Sequence, residues 1–534
     1  MATQLLLGDE ALAQGALDAG LSGAYGYPGT PATEITEYVQ RSEQGKGGLV
    51  HCTWSANEKT AVEEALGMSF AGRRAMASMK HVGLNVAADP FINAAITGTS
   101  GGLLVNAADD PSMHSSQNEQ DSRLYAELAL VPCLEPSNQQ EAYAVPAYGF
   151  DLSERHRVPI LVRLVTRLAH SRAVVALGPA RPQNPLRLPD DPERFIILPA
   201  TARRSYAALV ERQEDFVRES ERSPFNAYTD GKDRSLGILA SGIATNYVLE
   251  AFDGACPHPL LKIGQYPLPR ALVKRLVESC GTILVVEEGY PHIEAKLRGY
   301  PERERPRILG RLSGELPRTG ELAPELVAAA VGRKRASGLA ASTVPVPRPP
   351  SLCPGCPHAD TFRALSEAMK AFPETGRVFS DIGCYTLGAY PPFSAIDTCV
   401  DMGASITMAK GAADGGLAPV ISVIGDSTFA HSGMTGLLDC VLERTPITIL
   451  ILDNLTVAMT GGQGSSATGR LEAICTGLGV ESEHLREIVP LPKEHAKNVE
   501  VLKAEIGYEG VSVVIARREC LQTARRRATR KEPS

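Results

Sequence analysis

Two apolar runs, "VISVIGD" and "ITILILDN", constrain the fold of this chain more than any other feature. Each has the length of a buried strand, and each stops abruptly in polar residues: Gly425-Asp426-Ser427 after the first, Asp453-Asn454 after the second. Asp426 and Asn454 lie about 28 residues apart, enough for a helical crossover between parallel neighbours. Ligands of open parallel sheets bind at the carboxyl ends of the strands, so the two residues are expected at one site. A carboxylate, an amide oxygen and a backbone carbonyl are hard ligands that suit Mg2+, which shares its other positions with phosphate and water. Gly425 is expected to let the backbone approach a diphosphate. A Gly-Asp pair is equally common as a plain turn, so these residues alone leave both readings open.

The rest of the chain alternates strand and helix patterns in the same way. That places it in the α/β class, as several domains built on parallel sheets flanked by helices. Residues 1–185 carry glycine turns and apolar runs such as "GLSGAYGYPGTP" and "RVPILVRLVTR", with helical patterns such as "NEKTAVEEALGMSFAG" between them. Residues 186–234 are a connecting segment, first proline-rich and basic, then charged and helical. Residues 235–333 make a smaller α/β domain with the strands "LGILAS" and "TILVVEE" and the helix "ALVKRLVESC". Residues 334–350 read as a linker of Pro, Ala and Ser, 351–520 as a further domain, and 521–534 as a loose basic tail.

Composition narrows the partners and the compartment. A net charge of -7 over 534 residues argues against a nucleic-acid surface. No run reaches the roughly 18 apolar residues of a membrane span. The start, "MATQLLLGDEALAQ", has no basic region and meets Asp9 and Glu10 at once, so it does not read as a signal peptide. The expected location is the cytoplasm, where thiols stay reduced. The 11 cysteines are scattered and do not form a disulfide framework.

Two of them stand in "SLCPGCPH", as Cys353 and Cys356. In a reducing compartment this spacing points to metal, cluster or redox chemistry. A zinc ribbon would need a second pair close by, and none is present. Cys384 in "SDIGCYTLG" is the nearest third thiol, followed by Cys399, Cys440, Cys475 and Cys520. A [4Fe–4S] cluster takes four thiolates that need not be local. Cys399 and Cys440 lie in apolar contexts that read as core. Cys52, Cys133, Cys256 and Cys280 have no partner pattern.

Taken with "LDNLTVAMTGGQ", the strand-end motif resembles the thiamine-diphosphate signature, in the form found in 2-oxoacid:ferredoxin oxidoreductases. The best match is the alpha-subunit family of indolepyruvate ferredoxin oxidoreductase. "YGYPGTPATEI", "WSANEKTAVEEALG", "MKHVGLNVAADP", "DDPSMHSSQNEQDSR", "LCPGCPH" and "GDSTFAHSG" resemble its segments in the same order, so the likeness covers nearly the whole chain. Ser427 stands where the general motif has glycine.

The resemblance implies a pyrimidine-binding domain over 1–185, a transketolase-C-like domain over 235–333 and a diphosphate-binding domain over 351–520. Asp426, Asn454 and the Thr456 carbonyl become the Mg2+ ligands, with Gly383, Gly425, Ser427, Thr460 and Gly461 also against the cofactor. Glu58 becomes the carboxylate that hydrogen-bonds the aminopyrimidine ring; the residues alone do not separate it from Glu63 or Glu64. Thr30 is placed near the substrate carboxylate, although it could equally cap the helix that follows. Lys80–Asn85 and His114–Gln117 look like further pocket loops. Lone histidines are usually structural, which applies to His114 and His431.

The implied [4Fe–4S] ligands are Cys353, Cys356, Cys384 and Cys520, with Cys475 as the other candidate for the fourth. The implied activity is oxidative decarboxylation of an arylpyruvate such as indolepyruvate to its acyl-coenzyme A. Ferredoxin or a similar carrier would accept the electrons. A small beta subunit is the expected partner, in a heterodimer or a dimer of heterodimers. Many relatives continue into a ferredoxin-type domain; this chain stops at Ser534 without one, so a single cluster is expected. A non-redox thiamine decarboxylase or carboligase would leave the four cysteines without a role. A zinc-bearing subunit that had lost catalysis would have no need of Glu58, Asp426 and Asn454.

Overall fold

Leu103–Asp109 and Ile447–Asp453 are strands in which every residue is buried, the pattern of a strand covered on both faces. In the computed structural model, which describes residues 2–299, 306–333, 342–346, 350–372 and 374–530, each lies inside a largely parallel sheet. The chain divides into two compact units, Met1–Leu339 and Ala340–Ser534.

The larger sheet of the first unit has seven strands. Their order is Gln265–Tyr266, Cys133–Leu134, Ile160–Val165, Leu103–Asp109, Ala75–Lys80, Gly23–Gly26 and His51–Trp54. Every neighbouring pair is parallel except the first. The carboxyl ends of Gly23–Gly26, Ala75–Lys80 and Leu103–Asp109 therefore point one way, and the segments carrying Thr30, Lys80–Asn85 and His114–Gln117 follow from them. The helix Glu58–Phe70 begins where the Asn57 side chain accepts the Thr60 N–H at 2.9 Å. Its buried face holds Ala61, Ala65 and Ser69, small enough to seat it close to the sheet.

A five-stranded sheet in the same unit runs Arg307–Leu309, Thr282–Val286, Gly237–Ser241, Leu260–Ile263 and Ala227–Thr229. The strands expected in "LGILAS" and "TILVVEE" are its centre. Two features tie this region to the larger sheet, and neither shows as a pattern in the sequence. Gln265–Tyr266 leaves it to pair antiparallel with Cys133–Leu134. A fully buried ionic network also spans the two: Arg163 Nε meets Asp109 at 2.6 Å and its Nη1 meets Glu135 at 2.6 Å, while Arg123 Nη1 reaches Glu287 at 2.9 Å. Charges this deep persist only where each is paired, so removing one member would leave the other buried and uncompensated.

The second unit is a six-stranded parallel sheet in the order Thr398–Cys399, Arg377–Ser380, Val420–Gly425, Ile447–Asp453, Val511–Arg517 and Leu485–Ile488. Register sets Gly425 beside Leu452 and Asp453 beside Arg517, so the polar ends of three strands share one edge. The end of the chain differs from the expectation of a loose tail: Leu521–Arg530 is helical. Its run of Ala and Arg favours helix, and Arg526 anchors it by donating to the Gly461 carbonyl at 2.6 Å. The linker expected over 334–350 lies largely outside the described residues. Among the described residues no helix is long and apolar enough to cross a membrane.

Candidate functional site

In the second unit the strand Val420–Gly425 delivers Asp426 to the sheet edge, where only 3% of it is exposed. Its Oδ2 is buried with no hydrogen-bond partner. Burial, helped by the nearby Asp453 carboxylate, pushes Asp426 up to about 7. Asp453 itself is committed elsewhere, through Oδ2 to Arg517 Nε at 2.7 Å. A buried carboxylate oxygen with no donor is the feature a cation would satisfy, so Asp426 fits the expected Mg2+ site.

Asn454 is buried one strand over. Its Oδ1 accepts the Thr456 N–H at 3.1 Å, which leaves that oxygen a second lone pair. Thr456 is buried as well, and its hydroxyl donates to the Gln463 carbonyl at 3.0 Å. Gln463 closes the loop further: its Nε2 donates to the Thr460 carbonyl at 3.0 Å, and its Oε1 accepts the Thr460 hydroxyl at 2.6 Å. Thr460 and Gly461 thus sit on a loop pinned by Gln463 and Arg526, two residues the sequence reading did not single out.

Gly425 also has a steric role. A Cβ there would stand 2.7 Å from the Tyr385 ring. A Cβ on Gly383 would stand 2.2 Å from the same ring. Both glycines make room for Tyr385, whose hydroxyl donates to the buried Asp381 carboxylate. Ser427 is half-buried beside Asp426, and His431 is buried against Ser432.

The cysteines converge on one cavity of about 190 Å³. Cys353, Cys356, Cys384 and Cys520 all line it, together with His358, Asn454 and Arg526. Cys353 and Cys356 flank a turn in which the Cys356 N–H donates to the Cys353 carbonyl at 2.9 Å and Gly355 takes φ +77°. Cys384 opens the short 3-10 helix Cys384–Ala389. Cys520 follows Val511–Arg517, and its N–H donates to the Asn454 carbonyl at 3.1 Å. Burial, and then the thiolates of Cys356, Cys520 and Cys353, push Cys384 up to about 12.

No three of these sulfurs lie within 4.8 Å of one another. Tetrahedral Zn2+ with sulfur at about 2.3 Å would hold them roughly 3.8 Å apart. Cys475 is not part of this cavity wall; it is fully buried in the core with Ile449 and Leu471.

In the first unit the three candidate glutamates separate cleanly. Glu63 and Glu64 are exposed, paired with Lys59 and with the Ser55 hydroxyl respectively. Glu58 is 5% exposed, in the first turn of its helix, pressed against the backbone of Gly83. A Cβ at Gly83 would come within 2.5 Å of Glu58 Cγ, so "KHVGLN" forms one wall around this carboxyl.

Thr30 is half-buried and is not the helix cap; the helix starts at Thr33, whose hydroxyl accepts the Gly29 N–H at 3.0 Å. Ser115 Oγ donates to the Thr30 carbonyl at 3.3 Å, and Lys80 Nζ donates to the Ser115 carbonyl at 2.7 Å. These contacts gather the Thr30, Lys80 and Ser115 segments at the carboxyl edge of the sheet. Burial pulls Lys80 down to about 8, partly offset by Asp110. His114 is half exposed, 3.4 Å from Glu321, and stands apart as a surface residue.

Comparison with known proteins finds thiamine-binding families at both regions. Residues 14–224 match a family model described as "Pyruvate flavodoxin/ferredoxin oxidoreductase, thiamine diP-bdg". Residues 381–534 match one described as "Thiamine pyrophosphate enzyme, C-terminal TPP binding domain". Proteins named "Indolepyruvate oxidoreductase subunit IorA" are similar along almost the whole chain. The one from Archaeoglobus fulgidus is 39% identical over 96% of this chain and 86% of its own length. Those from Methanothermobacter marburgensis and Thermococcus kodakarensis are 39% and 37% identical, each over 97% of this chain and over 86% and 85% of their own lengths.

Proposed function

The chain belongs to the family of indolepyruvate oxidoreductase IorA subunits, and from that premise we propose its substrate, its electron path and its partners. It is the catalytic subunit of a thiamine-diphosphate-dependent 2-oxoacid oxidoreductase. The proposed substrate is an arylpyruvate of the indolepyruvate kind, with coenzyme A as acyl acceptor and ferredoxin or a similar carrier as electron acceptor. A small second subunit completes the enzyme, as a heterodimer or a dimer of heterodimers in the cytoplasm.

Thiamine diphosphate, when bound, supplies the carbanion chemistry that decarboxylation of a 2-oxoacid needs. Glu58 offers a carboxyl shielded from water, able to hold a proton at the edge of an aminopyrimidine ring. Asp426, Asn454 and the Thr456 carbonyl would hold Mg2+. The Thr30 segment, braced by Ser115 and Lys80, would receive the substrate carboxylate. Cys353, Cys356, Cys384 and Cys520 would hold a [4Fe–4S] cluster, which transfers single electrons.

One observation carries the redox reading: the four cysteines line the same cavity as Asn454. A non-redox thiamine enzyme has no use for them there. The test is anaerobic assay of the chain produced with its small subunit. Indolepyruvate is expected to reduce a ferredoxin or viologen dye in a coenzyme A-dependent way, with kcat/KM at least tenfold above that for pyruvate or 2-oxoglutarate. Carbon dioxide release without any acceptor reduction would overturn the redox reading.

A further inference from the structure

A second cluster of ligating groups lies in the first unit, at residues the proposed chemistry does not use. The N-terminal strand Thr3–Leu7 pairs antiparallel with Arg172–Ala176, and Leu7 sits opposite Arg172. The chain that leaves Leu7 and the chain that enters Arg172 therefore run side by side. That brings Asp9, in the first turn of the helix Gly8–Asp18, next to His170, the last residue of the helix Thr166–His170. The approach is unusually close: a Cβ at Gly8 would stand 2.2 Å from the Leu168 carbonyl oxygen. Glu34 joins them from the first turn of Thr33–Arg41, a helix packed against Gly8–Asp18.

One carboxylate oxygen from Asp9, one from Glu34 and a ring nitrogen of His170 all lie within 4.8 Å of one another. Asp9 is fully buried, and neither of its carboxylate oxygens has a hydrogen-bond partner. Glu34 Oε2 is buried as well and faces His170 Nε2 at 3.5 Å, which helps hold its carboxyl below the usual range. The charges that raise Asp9 further are those of Glu34 and Glu10, both negative. Glu10 contributes a further negative charge while its own carboxylate accepts the Leu7 N–H at 2.9 Å. Two orphaned carboxylate oxygens of Asp9, converging with the Glu34 carboxylate and an imidazole, are an arrangement completed by a cation. His170 and Glu34 keep 35% and 32% of their side chains exposed, which gives an ion a path in from solvent.

We propose that Asp9, Glu34 and His170 form a binding site for a first-row divalent transition ion of the Mn2+ or Zn2+ kind. Ligand atoms at about 2.1 Å from a common ion lie no more than roughly 4.2 Å apart, so a small closure of the observed triangle suffices. Two carboxylates with one imidazole suit these ions, whereas Mg2+ and Ca2+ prefer oxygen alone. Bound there, the ion would clamp the N-terminal helix and the segment after Val165 onto the first turn of the helix that follows the Thr30 loop.

The test uses the whole protein with saturating thiamine diphosphate and Mg2+, and Mn2+ as the probe, since thiolates bind it weakly. Free Mn2+ is read by electron paramagnetic resonance. The wild type is expected to bind one Mn2+ per chain that His170→Ala lacks, with affinity lowered at least about 100-fold, since even outer-shell changes cost 10- to 100-fold. His170 lies at the exposed end of a short helix, so this variant should fold; Asp9→Asn should lose the same Mn2+. Equal Mn2+ binding by wild type and His170→Ala overturns the site. So does a wild type that binds none; Asp9→Asn melting higher would then show that Asp9 and Glu34 share a proton instead.

Discussion

Asn454 Nδ2 donates to His358 Nε2 at 3.2 Å, which joins the last residue of "CPGCPH" to the residue that ends the second motif strand. His358 is buried, and burial pushes it down to about 4, so the ring is neutral and can accept. The segment that carries two of the four cavity cysteines therefore also orients the proposed Mg2+ ligand. His358→Phe would leave a buried amide donor unpaired, at a cost of about 1–3 kcal/mol. Calorimetry should show thiamine diphosphate with Mg2+ binding roughly 5- to 150-fold more weakly. His358→Gln, which restores an acceptor, should recover most of that. Unchanged affinity in His358→Phe would remove this link.

Glu58→Gln keeps the size of the side chain and removes its acid–base capacity. It is expected to bind thiamine diphosphate normally and lose about 10²- to 10⁴-fold in kcat. Gly83→Ala tests the same carboxyl through its position, because the added methyl would have to displace Glu58. It should also lose turnover while keeping its fold. Near-normal kcat in Glu58→Gln would take Glu58 out of the site.

Lys80 gives the account a pH dependence. Its ordinary value is near 10.5, and burial brings it to about 8, so it is cationic at neutral pH and loses its charge as pH rises through 8. If this charge helps to receive a substrate carboxylate, KM for the 2-oxoacid should climb between pH 7 and 9 while kcat changes little. Lys80→Gln should show a raised KM already at pH 7 and no further rise. A parallel pH profile in that variant would assign the effect to another group.

Cys520 and Cys475 make opposite predictions. Cys520→Ser should lower the iron content of anaerobically purified protein and its visible absorption. Cys475→Ser, in the core, should change neither and cost only modest stability, measured as a small drop in Tm. Iron loss confined to Cys475→Ser would reverse the assignment.

Much of this was legible because strands buried on both faces leave long apolar runs and end abruptly. "VISVIGD" and "ITILILDN" became Val420–Gly425 and Ile447–Asp453, and the polar ends that follow them share one edge. Contacts distant in sequence were not legible. The pairing of Gln265–Tyr266 with Cys133–Leu134 depends on two residues per strand, too few to leave a pattern. The steric role of Gly425 was not legible, because a glycine looks the same in sequence whatever fills the space beside it, here the Tyr385 ring. Thr30 looked like a helix cap, yet the chain runs three residues further before the helix begins. His358 was visible in its motif, but only folding brings Asn454, 96 positions away, against it.

The central claim is that the cavity between Cys353, Cys356, Cys384 and Cys520 holds an iron–sulfur cluster beside the thiamine site. Its most direct test is to purify the protein anaerobically, quantify iron, sulfide and zinc, and record the visible spectrum. About four irons and four sulfides per chain are expected, with a broad thiolate-to-iron absorption band. Zinc in place of iron, with no visible band, would contradict it and leave a thiamine fold with a structural metal.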